Sequence, residues 1–234
     1  MNNEVILQIR NVAKFYERGG QSVRVLNAIN LDIPRGDYVA LMGPSGSGKT
    51  TLLNIIGGLD SPTSGSVVVE GTNIAELDDR GLAAWRTSNI GFVFQQYNLI
   101  PVLTAFENVE LPLLLFRMRK EERRKRALAA LELVGLAERA HHFPRQLSGG
   151  EEQRASIARA LVTDPKLIIA DEPTGNLDAV AAANVLDLLE RLNRDLKKTI
   201  LMVTHDPSAG RRAKRLARLY KGDLSSDQNT EATA

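Results

Sequence analysis

Residues 43–50 read Gly43-Pro44-Ser45-Gly46-Ser47-Gly48-Lys49-Thr50 and match the phosphate-binding pattern G-x-x-x-x-G-K-[ST] at every fixed position. The apolar run 38–42 before them has the composition of a buried strand, and residues 51–56 after them have that of a helix. A loop between a strand and a helix is where this pattern binds nucleotide phosphates. A glycine-rich turn that matches by chance is the alternative, and both flanking segments argue against it.

The chemistry of this loop follows from its residue types. Its three glycines let the main chain fold closely around phosphate oxygens, and the following helix directs free N–H groups and the positive end of its dipole toward the same anion. We expect Lys49 to reach the β- and γ-phosphates and Thr50 to offer its hydroxyl to Mg²⁺. Kinases, GTPases, motors and transporters share such a loop, so the reaction must be inferred from the rest of the chain.

Composition limits the class of protein. The chain has 234 residues, of which 43% are hydrophobic, enough for one domain with or without a subdomain. Because 30 Lys and Arg nearly balance 28 Asp and Glu, the overall charge gives no reason to expect nucleic-acid binding. The absence of cysteine excludes disulfides and thiolate metal sites. Residues 1–4 lack the features of a signal peptide and no apolar run is long enough to span a membrane, so we expect a cytoplasmic protein that meets the membrane through a partner.

The order of strand and helix patterns predicts an α/β fold. Alternating apolar residues at 5–12 and around 23–33, separated by a turn at 17–20, indicate an N-terminal antiparallel β region. Short continuous apolar runs then alternate with helical patterns, which is typical of a central, mainly parallel sheet. The expected strands of that sheet are 38–42, 90–94, 167–170 and 199–203.

Helical patterns replace β-branched runs between residues 104 and 140. They predict a helical subdomain over about 97–161, inserted in a single domain of residues 1–224. The polar segment 225–234 is expected to be a disordered tail. A later helix is predicted to place one apolar stripe toward the core, made of Val185, Leu188, Leu189, Leu192 and Leu196.

Two carboxylates, Asp171 and Glu172, directly follow the apolar run 167–170. The carboxyl ends of the strands form the ligand-facing edge of an α/β sheet. There Asp171 suits Mg²⁺, and Glu172 suits a base that orients or deprotonates a water molecule. An acidic pair that caps the next helix is the alternative explanation.

Leu147-Ser148-Gly149-Gly150-Glu151 precedes a well-patterned helix. Ser148 is a candidate cap, and the two glycines allow close approach of the main-chain N–H groups to a second anion. One chain with two separate anion-binding helix starts implies a very large internal site or two copies that meet face to face. An ordinary capped helix would explain the serine and glycines alone.

The residues, taken together, resemble the ATPase subunits of ABC transporters over nearly the whole chain. The motifs occur in the order of that family: the phosphate loop at 43–50, the Q-loop glutamine Gln95, the signature at 147–151, the Walker B stretch 167–172, the D-loop at 175–178 and the switch histidine His205.

The resemblance implies a role for each of these residues. Glu172, His205 and Gln95 would be catalytic, with His205 at the γ-phosphate, and Thr50, Gln95 and Asp171 would hold Mg²⁺. Tyr16 matches the aromatic residue that stacks on adenine, although a tyrosine in a β-rich segment is also a common core residue. The implied ATP-binding residues are Tyr16, Gly43, Pro44, Ser45, Gly46, Ser47, Gly48, Lys49, Thr50, Thr51, Ser148, Gly149, Gly150 and Glu151.

The resemblance also implies partners. Two copies would clamp two ATP molecules, each between the phosphate loop of one copy and the signature of the other. The surface around residues 97–99 would dock an integral membrane permease, which would place the protein at the cytoplasmic face of the cell membrane. No nucleic-acid partner is expected. Soluble ABC machines that act on DNA or ribosomes usually carry two cassettes or long coiled coils, and this chain has neither.

Four segments of the sequence resemble those of the macrolide-exporter and lipoprotein-releasing ATPases of the MacB and LolD type. They are residues 58–65, 94–101, 107–109 and 171–178. Such subunits serve export, lipoprotein release or force transmission to a permease with a large extracytoplasmic domain. A non-transporting permease complex that regulates cell-wall remodelling or division is the alternative. The chain departs from this pattern at Glu151 and Glu152, where glutamines are common, and in the basic segment 211–218.

Overall fold

The computed structural model describes residues 4–227. Its strands are β1 (Val5–Arg18), β2 (Gln21–Pro34), β3 (Tyr38–Met42), β4 (Ser64–Val69), β5 (Thr72–Asn73), β6 (Ile90–Phe94), β7 (Leu167–Asp171), β8 (Thr199–Thr204), β9 (Arg215–Tyr220) and β10 (Asp223–Asp227). Its α-helices are α1 (Lys49–Ile56), α2 (Asp79–Asn89), α3 (Ala105–Glu110), α4 (Lys120–Leu133), α5 (Gly149–Leu161), α6 (Ala179–Leu196) and α7 (Pro207–Gly210). No helix within this range is long and apolar enough to cross a membrane.

The strands form two sheets. The central sheet has the order β10-β9-β3-β8-β7-β6, in which β9, β3, β8, β7 and β6 are parallel and β10 is antiparallel. The N-terminal sheet has the order β2-β1-β4-β5 and is antiparallel. The predicted fold class, a mainly parallel sheet with an antiparallel N-terminal region and helices, is therefore confirmed.

The central strands are buried on both faces because alternate residues enter two different cores. On β3, Tyr38 and Ala40 lie in a core shared with α3, α4, α5 and α6. Val39 and Leu41 lie in the other core, with the N-terminal sheet and α1. The sheet is thus held between a helical layer and a β layer, which fixes the positions of the loops at its carboxyl edge.

The structure differs from the sequence expectations in three places. Strand β1 continues to Arg18, well past residue 12, because it pairs with both β2 and β4. Leu196, assigned to the buried stripe of α6, is 48% exposed at the last turn of that helix. The predicted tail from residue 225 is wrong for its first residues, since main-chain pairing with β9 extends β10 to Asp227; residues 228–234 lie outside the described range.

Candidate nucleotide-binding site

The loops that follow β3, β7 and β8 meet at one edge of the central sheet. β8 lies between the other two strands, with Met42 opposite Thr204 and Asp171 opposite Val203. Parallel strands in this register end at the same level. The phosphate loop, the acidic pair Asp171-Glu172 and His205 are therefore neighbours, as the sequence predicted for the ligand-facing edge.

The phosphate loop requires glycine for space as well as for conformation. Gly48, the residue before α1, has a φ of 103°, and a Cβ there would lie 2.9 Å from the carbonyl oxygen of Val25. A Cβ on Gly43 would lie 2.1 Å from the carbonyl oxygen of Leu219 on β9. The β9–β10 turn also holds the loop directly, because the N–H of Gly222 donates to the carbonyl of Ser47 at 3.2 Å.

Lys49 crosses this loop from the first turn of α1. Its ammonium donates to the carbonyl oxygens of Gly43 at 2.7 Å and Pro44 at 2.9 Å, and the residue is 8% exposed. No side chain caps the start of α1, so its first N–H groups are free for an anion. The loop lines a depression of about 260 Å³ together with Val25, Thr50 and Thr51.

The acidic pair has two different environments. Burial, with a further contribution from Glu172, raises the pKa of Asp171, and the charge of Lys49 opposes this shift. Glu172 Oε1 lies 2.8 Å from His205 Nδ1, and Glu172 Oε2 lies 3.4 Å from the His205 main-chain nitrogen. The Glu172 side chain is mostly buried whereas that of His205 is 68% exposed. A carboxylate paired to an imidazole at the edge of a phosphate loop is suited to orient a water molecule.

The donor set around the phosphate loop fits Mg²⁺. This cation is usually bound by one or two carboxylates together with substrate phosphates. Asp171 supplies a carboxylate at this sheet edge, and Thr50 is an exposed residue of the loop that carries a hydroxyl. Within residues 4–227, no group of three or more His, Asp or Glu could hold a metal without such phosphates.

Gln95 directly follows β6, on the far side of β7 from β8, and is hydrogen-bonded to the D-loop. Its Nε2 donates to Asn176 Oδ1, and Asn176 Nδ2 donates to the Gln95 carbonyl, both at 3.1 Å. The amide oxygen of Gln95 is thus the atom that a cation would use. A Cβ on Gly175 would lie 2.7 Å from Gln95 Nε2, so the D-loop glycine makes room for this side chain.

The signature residues cap α5 as expected. Ser148 Oγ accepts the Glu151 N–H at 3.3 Å, and Glu151 Oε2 accepts the Ser148 N–H at 2.8 Å. These bonds, with Arg139 at 3.2 Å, hold the pKa of Glu151 below its usual value. No hydrogen bond or ion pair between described residues joins Ser148, Gly149, Gly150 or Glu151 to the phosphate loop. The structure therefore does not unite the two anion-binding helix starts within one chain.

Tyr16 lies on the N-terminal sheet and is held by charged neighbours. Its hydroxyl donates to Asp60 Oδ2 at 2.6 Å, and Lys14 Nζ contacts Asp60 Oδ1 at 2.6 Å. The Lys14 ammonium also lies 4.8 Å from the centre of the Tyr16 ring. Tyr16 is 40% exposed, so it is not a buried core tyrosine.

Two of the five basic residues in the segment 211–218 form ion pairs with described acidic residues elsewhere in the chain. Arg212 pairs with Asp187 and Glu190 on α6, and Arg215 pairs with Asp37 at 3.0 Å. These contacts account for part of the unusual charge as internal ion pairing.

Comparison with known proteins decides the family. The profile of the ABC transporter family matches residues 26–175. The chain belongs to the ABC transporter family. It is 48% identical over 227 residues to the uncharacterized ABC transporter ATP-binding protein MJ0796 of Methanocaldococcus jannaschii, covering 95% of this chain and 97% of that protein. A dimeric structure of MJ0796 in a post-hydrolysis state bound to ADP and Pi has a TM-score of 0.87 at 47% identity, covering 95% of this cassette and 98% of that chain.

Two further relatives of the cassette carry functional names. The lipoprotein-releasing system ATP-binding protein LolD of Chromohalobacter salexigens is 45% identical over 226 residues, with 97% of this chain and 95% of LolD covered. The macrolide export ATP-binding/permease protein MacB of Hyphomonas neptunium is 44% identical over 229 residues, 98% of this chain but 35% of MacB. The resemblance to MacB and LolD ATPases, inferred from the motifs, is confirmed.

Some residues that organise the cassette site were not predicted. Asp60 and Lys14 hold Tyr16, Arg139 pairs with Glu151, and Arg159 binds the loop after Gln95. The hydrogen bonds of Asp60, Arg139 and Arg159 join residues 12 or more apart in sequence, so local patterns carry no signal for them. Asn176 also was not predicted as a partner of Gln95, but its place in the D-loop motif is a sequence signal that could have indicated it.

Proposed function

We propose that this cassette is the ATP-binding and ATP-hydrolysing subunit of an envelope ABC system, and that it dimerises around two Mg-ATP to drive a membrane permease. The observation that carries the proposal is the Glu172–His205 pair, 2.8 Å apart, at the sheet edge that holds the phosphate loop. A base beside a phosphate-binding loop is the arrangement that hydrolysis of a nucleotide needs.

The residues would divide the work of hydrolysis. Lys49 would exchange its loop carbonyls for phosphate oxygens and stabilise the charge that develops on them. Glu172 would orient the attacking water and accept its proton, while His205 would hold the Glu172 carboxylate and contact the γ-phosphate. Thr50, Asp171 and Gln95 would hold Mg²⁺, which when bound would neutralise part of the phosphate charge.

A second copy of the cassette would complete the site. The signature lies at the start of α5, which suits a second anion, and no hydrogen bond or ion pair between described residues joins it to the phosphate loop of the same chain. Two copies in a face-to-face arrangement would place Ser148 and Gly149 of one copy against the nucleotide of the other. The dimeric structure of MJ0796 supports this assembly.

The surface next to the Q-loop is the proposed permease contact. A groove of about 340 Å³ opens there between β6, the segment after α3 and α5, with Phe94, Asn98 and Leu115 in its lining. Nearby apolar side chains are unusually exposed, Val102 by 76% and Leu115 by 73%. We assign this surface to the permease and the cassette to the cytoplasmic face of the membrane. The names of the MacB and LolD relatives favour export, lipoprotein release or force transmission over cell-wall regulation.

Glu172→Gln tests the catalytic assignment. We expect this variant to bind ATP, to hydrolyse it at least about 100-fold more slowly, and to accumulate as an ATP-bound dimer. Phosphate release and light scattering after size exclusion measure the two effects. Glu132→Gln, on the exposed end of α4, is the matched control and should behave as the parent. Undiminished turnover in Glu172→Gln would remove Glu172 from the mechanism.

The partner is identified with the same variant. Tagged Glu172→Gln protein with ATP is used to recover its complex from detergent-solubilised native membranes. A permease with a large extracytoplasmic domain that carries substrate when reconstituted supports the export assignment. A permease that moves nothing but associates with cell-wall enzymes supports the regulatory alternative, and recovery of soluble proteins alone refutes both.

A further inference from the structure

The loop directly after Gln95 has an unfavourable main-chain conformation. Tyr97 and Asn98 both lie in the left-handed region, with φ of 52° and 51°. Neither is glycine, and consecutive left-handed residues of this kind cost free energy that the surroundings must offset. The loop must therefore be held in place by contacts from elsewhere in the cassette.

Arg159 on α5 makes those contacts. Its Nη1 donates to the Asn98 carbonyl at 2.5 Å and its Nη2 to the Tyr97 carbonyl at 2.8 Å. In an extended strand successive carbonyls point to opposite sides, so one planar guanidinium that binds both carbonyls matches this turn better than an extended loop. Burial lowers the pKa of Arg159, and no carboxylate among residues 4–227 pairs with it. Both of its side-chain hydrogen bonds to described residues go to the loop.

A second side chain of α5 holds the loop on its other side. Gln153 is fully buried, and its Nε2 donates to the carbonyls of Phe94 at 3.2 Å and Pro173 at 2.6 Å. Phe94 immediately precedes Gln95, and Pro173 immediately follows Glu172. The same helix thus fixes the main chain before Gln95, after Gln95 and after Glu172.

We propose that Arg159 is a positioning residue that sets the place of Gln95 in the Mg-ATP site. The role of Gln95 in this inference rests on the proposed function. The clamp, by which we mean the two hydrogen bonds from Arg159 to the carbonyls of Tyr97 and Asn98, does not depend on it. Helix α5 begins at the signature, which would contact the opposing nucleotide. Because Arg159 and Gln153 attach the loop that carries Gln95 to α5, we expect the loop and the helix to move together. Arg159 therefore links the permease-facing groove, which it also lines, to both ATP sites.

Hydrogen exchange tests the clamp without reference to catalysis. In Arg159→Ala we expect faster amide exchange over residues 95–100 than in the parent, because the left-handed turn has lost its two donors. Arg123→Ala is the matched control, since Arg123 also donates to a main-chain carbonyl, that of Met118, and its other partner is Glu110, so neither partner belongs to residues 95–100. An unchanged exchange rate over 95–100 in Arg159→Ala overturns the proposal.

Magnesium-dependent ATPase kinetics test the consequence. Loss of a residue that orients a metal ligand typically lowers metal affinity or activity by about 10- to 100-fold. We expect a shift of that size in kcat or in the Mg²⁺ concentration for half-maximal rate for Arg159→Ala, with ATP affinity retained and Arg123→Ala unaffected. Arg159→Lys, which keeps a cationic donor, should recover part of the loss. If Arg159→Ala is recovered unfolded, Arg159→Lys and Arg159→Gln decide by the same two readouts.

The outcomes separate this proposal from the function on which it rests. Parent-like Mg²⁺ dependence in Arg159→Ala, while Gln95→Ala is impaired, refutes the positioning role and leaves the proposed function intact. Parent-like Mg²⁺ dependence in Gln95→Ala refutes the role of Gln95 itself, and the exchange experiment still decides whether Arg159 holds the loop.

Discussion

Glu172 combines a functional side chain with a strained main chain. Its φ of 47° is left-handed, which costs a non-glycine residue about 1–3 kcal/mol. The turn is stabilised by its N–H, which donates to the Val203 carbonyl at 2.9 Å. This turn carries the Glu172 carboxylate from the end of β7 to His205, which follows β8. The strain thus lies at the residue proposed as the base, and the sheet supplies the contact that maintains it.

Lys49→Ala should weaken nucleotide binding. The charged hydrogen bonds that Lys49 would make to phosphate are worth about 1.5–3 kcal/mol, a loss of roughly 10- to 150-fold in affinity. Titration with a fluorescent ATP analogue measures the effect. Lys198→Ala is the control, because Lys198 is also largely buried and bound to Asp164, at the opposite end of β8. Equal affinity of Lys49→Ala and the parent would contradict the assignment of the loop.

Among the elements, α3 is short but determines the path of the chain after the Q-loop. Asn108 on this helix is fully buried and binds both the N–H and the carbonyl of Ile100, and the carbonyl of Leu103. The helix itself begins with a complete capping box between Thr104 and Glu107. The stability of this cap therefore affects the exposed apolar surface proposed for the permease.

The capping box of α3 should make part of the stability dependent on pH. Hydrogen bonds from the N–H and hydroxyl of Thr104 lower the pKa of Glu107 from 4.5, so ionised Glu107 stabilises the folded state above that pH. The contribution is lost as pH falls through the lower, folded-state pKa. Thr104→Ala should cost about 0.5–2 kcal/mol at neutral pH and less in acid. Urea unfolding over a pH series measures this, with Thr87→Ala inside α2 as control; a pH-independent cost would contradict it.

Sequence patterns predicted elements better than they predicted contacts between elements. The loop at 43–50 and the cap at Ser148 follow from local residue types, because glycine conformation and helix capping act within a few residues. The pairing of β1 with β4 gave no local signal, because the two strands are more than 40 residues apart in sequence. Arg159 gave no signal because its partners are main-chain carbonyls, which every residue has.

At the scale of the whole molecule, the two halves of each proposed ATP site belong to different subunits. Lys49→Ala disables the phosphate loop, and Ser148→Arg should disable the signature by placing a large side chain at the cap. A symmetric face-to-face dimer of either variant has no intact site. In a mixed dimer, the phosphate loop of the Ser148→Arg subunit meets the signature of the Lys49→Ala subunit, and one intact site returns.

Mixing these two variants should therefore restore part of the ATPase activity that each lacks alone. Steady-state phosphate release before and after mixing measures the recovery. Mixing Lys49→Ala with the double variant Lys49→Ala, Ser148→Arg is the control, because no combination of these chains has an intact site. Failure of the first mixture to regain activity would contradict the two-subunit site.

The turn between β9 and β10 makes the phosphate loop depend on residues far along the chain. β3, the strand that leads into residues 43–50, pairs with β8 and β9, which lie within residues 199–220. The N–H that donates to the Ser47 carbonyl comes from Gly222, after β9. Removal of residues 215–227 should therefore take away contacts that hold the phosphate loop and weaken ATP binding.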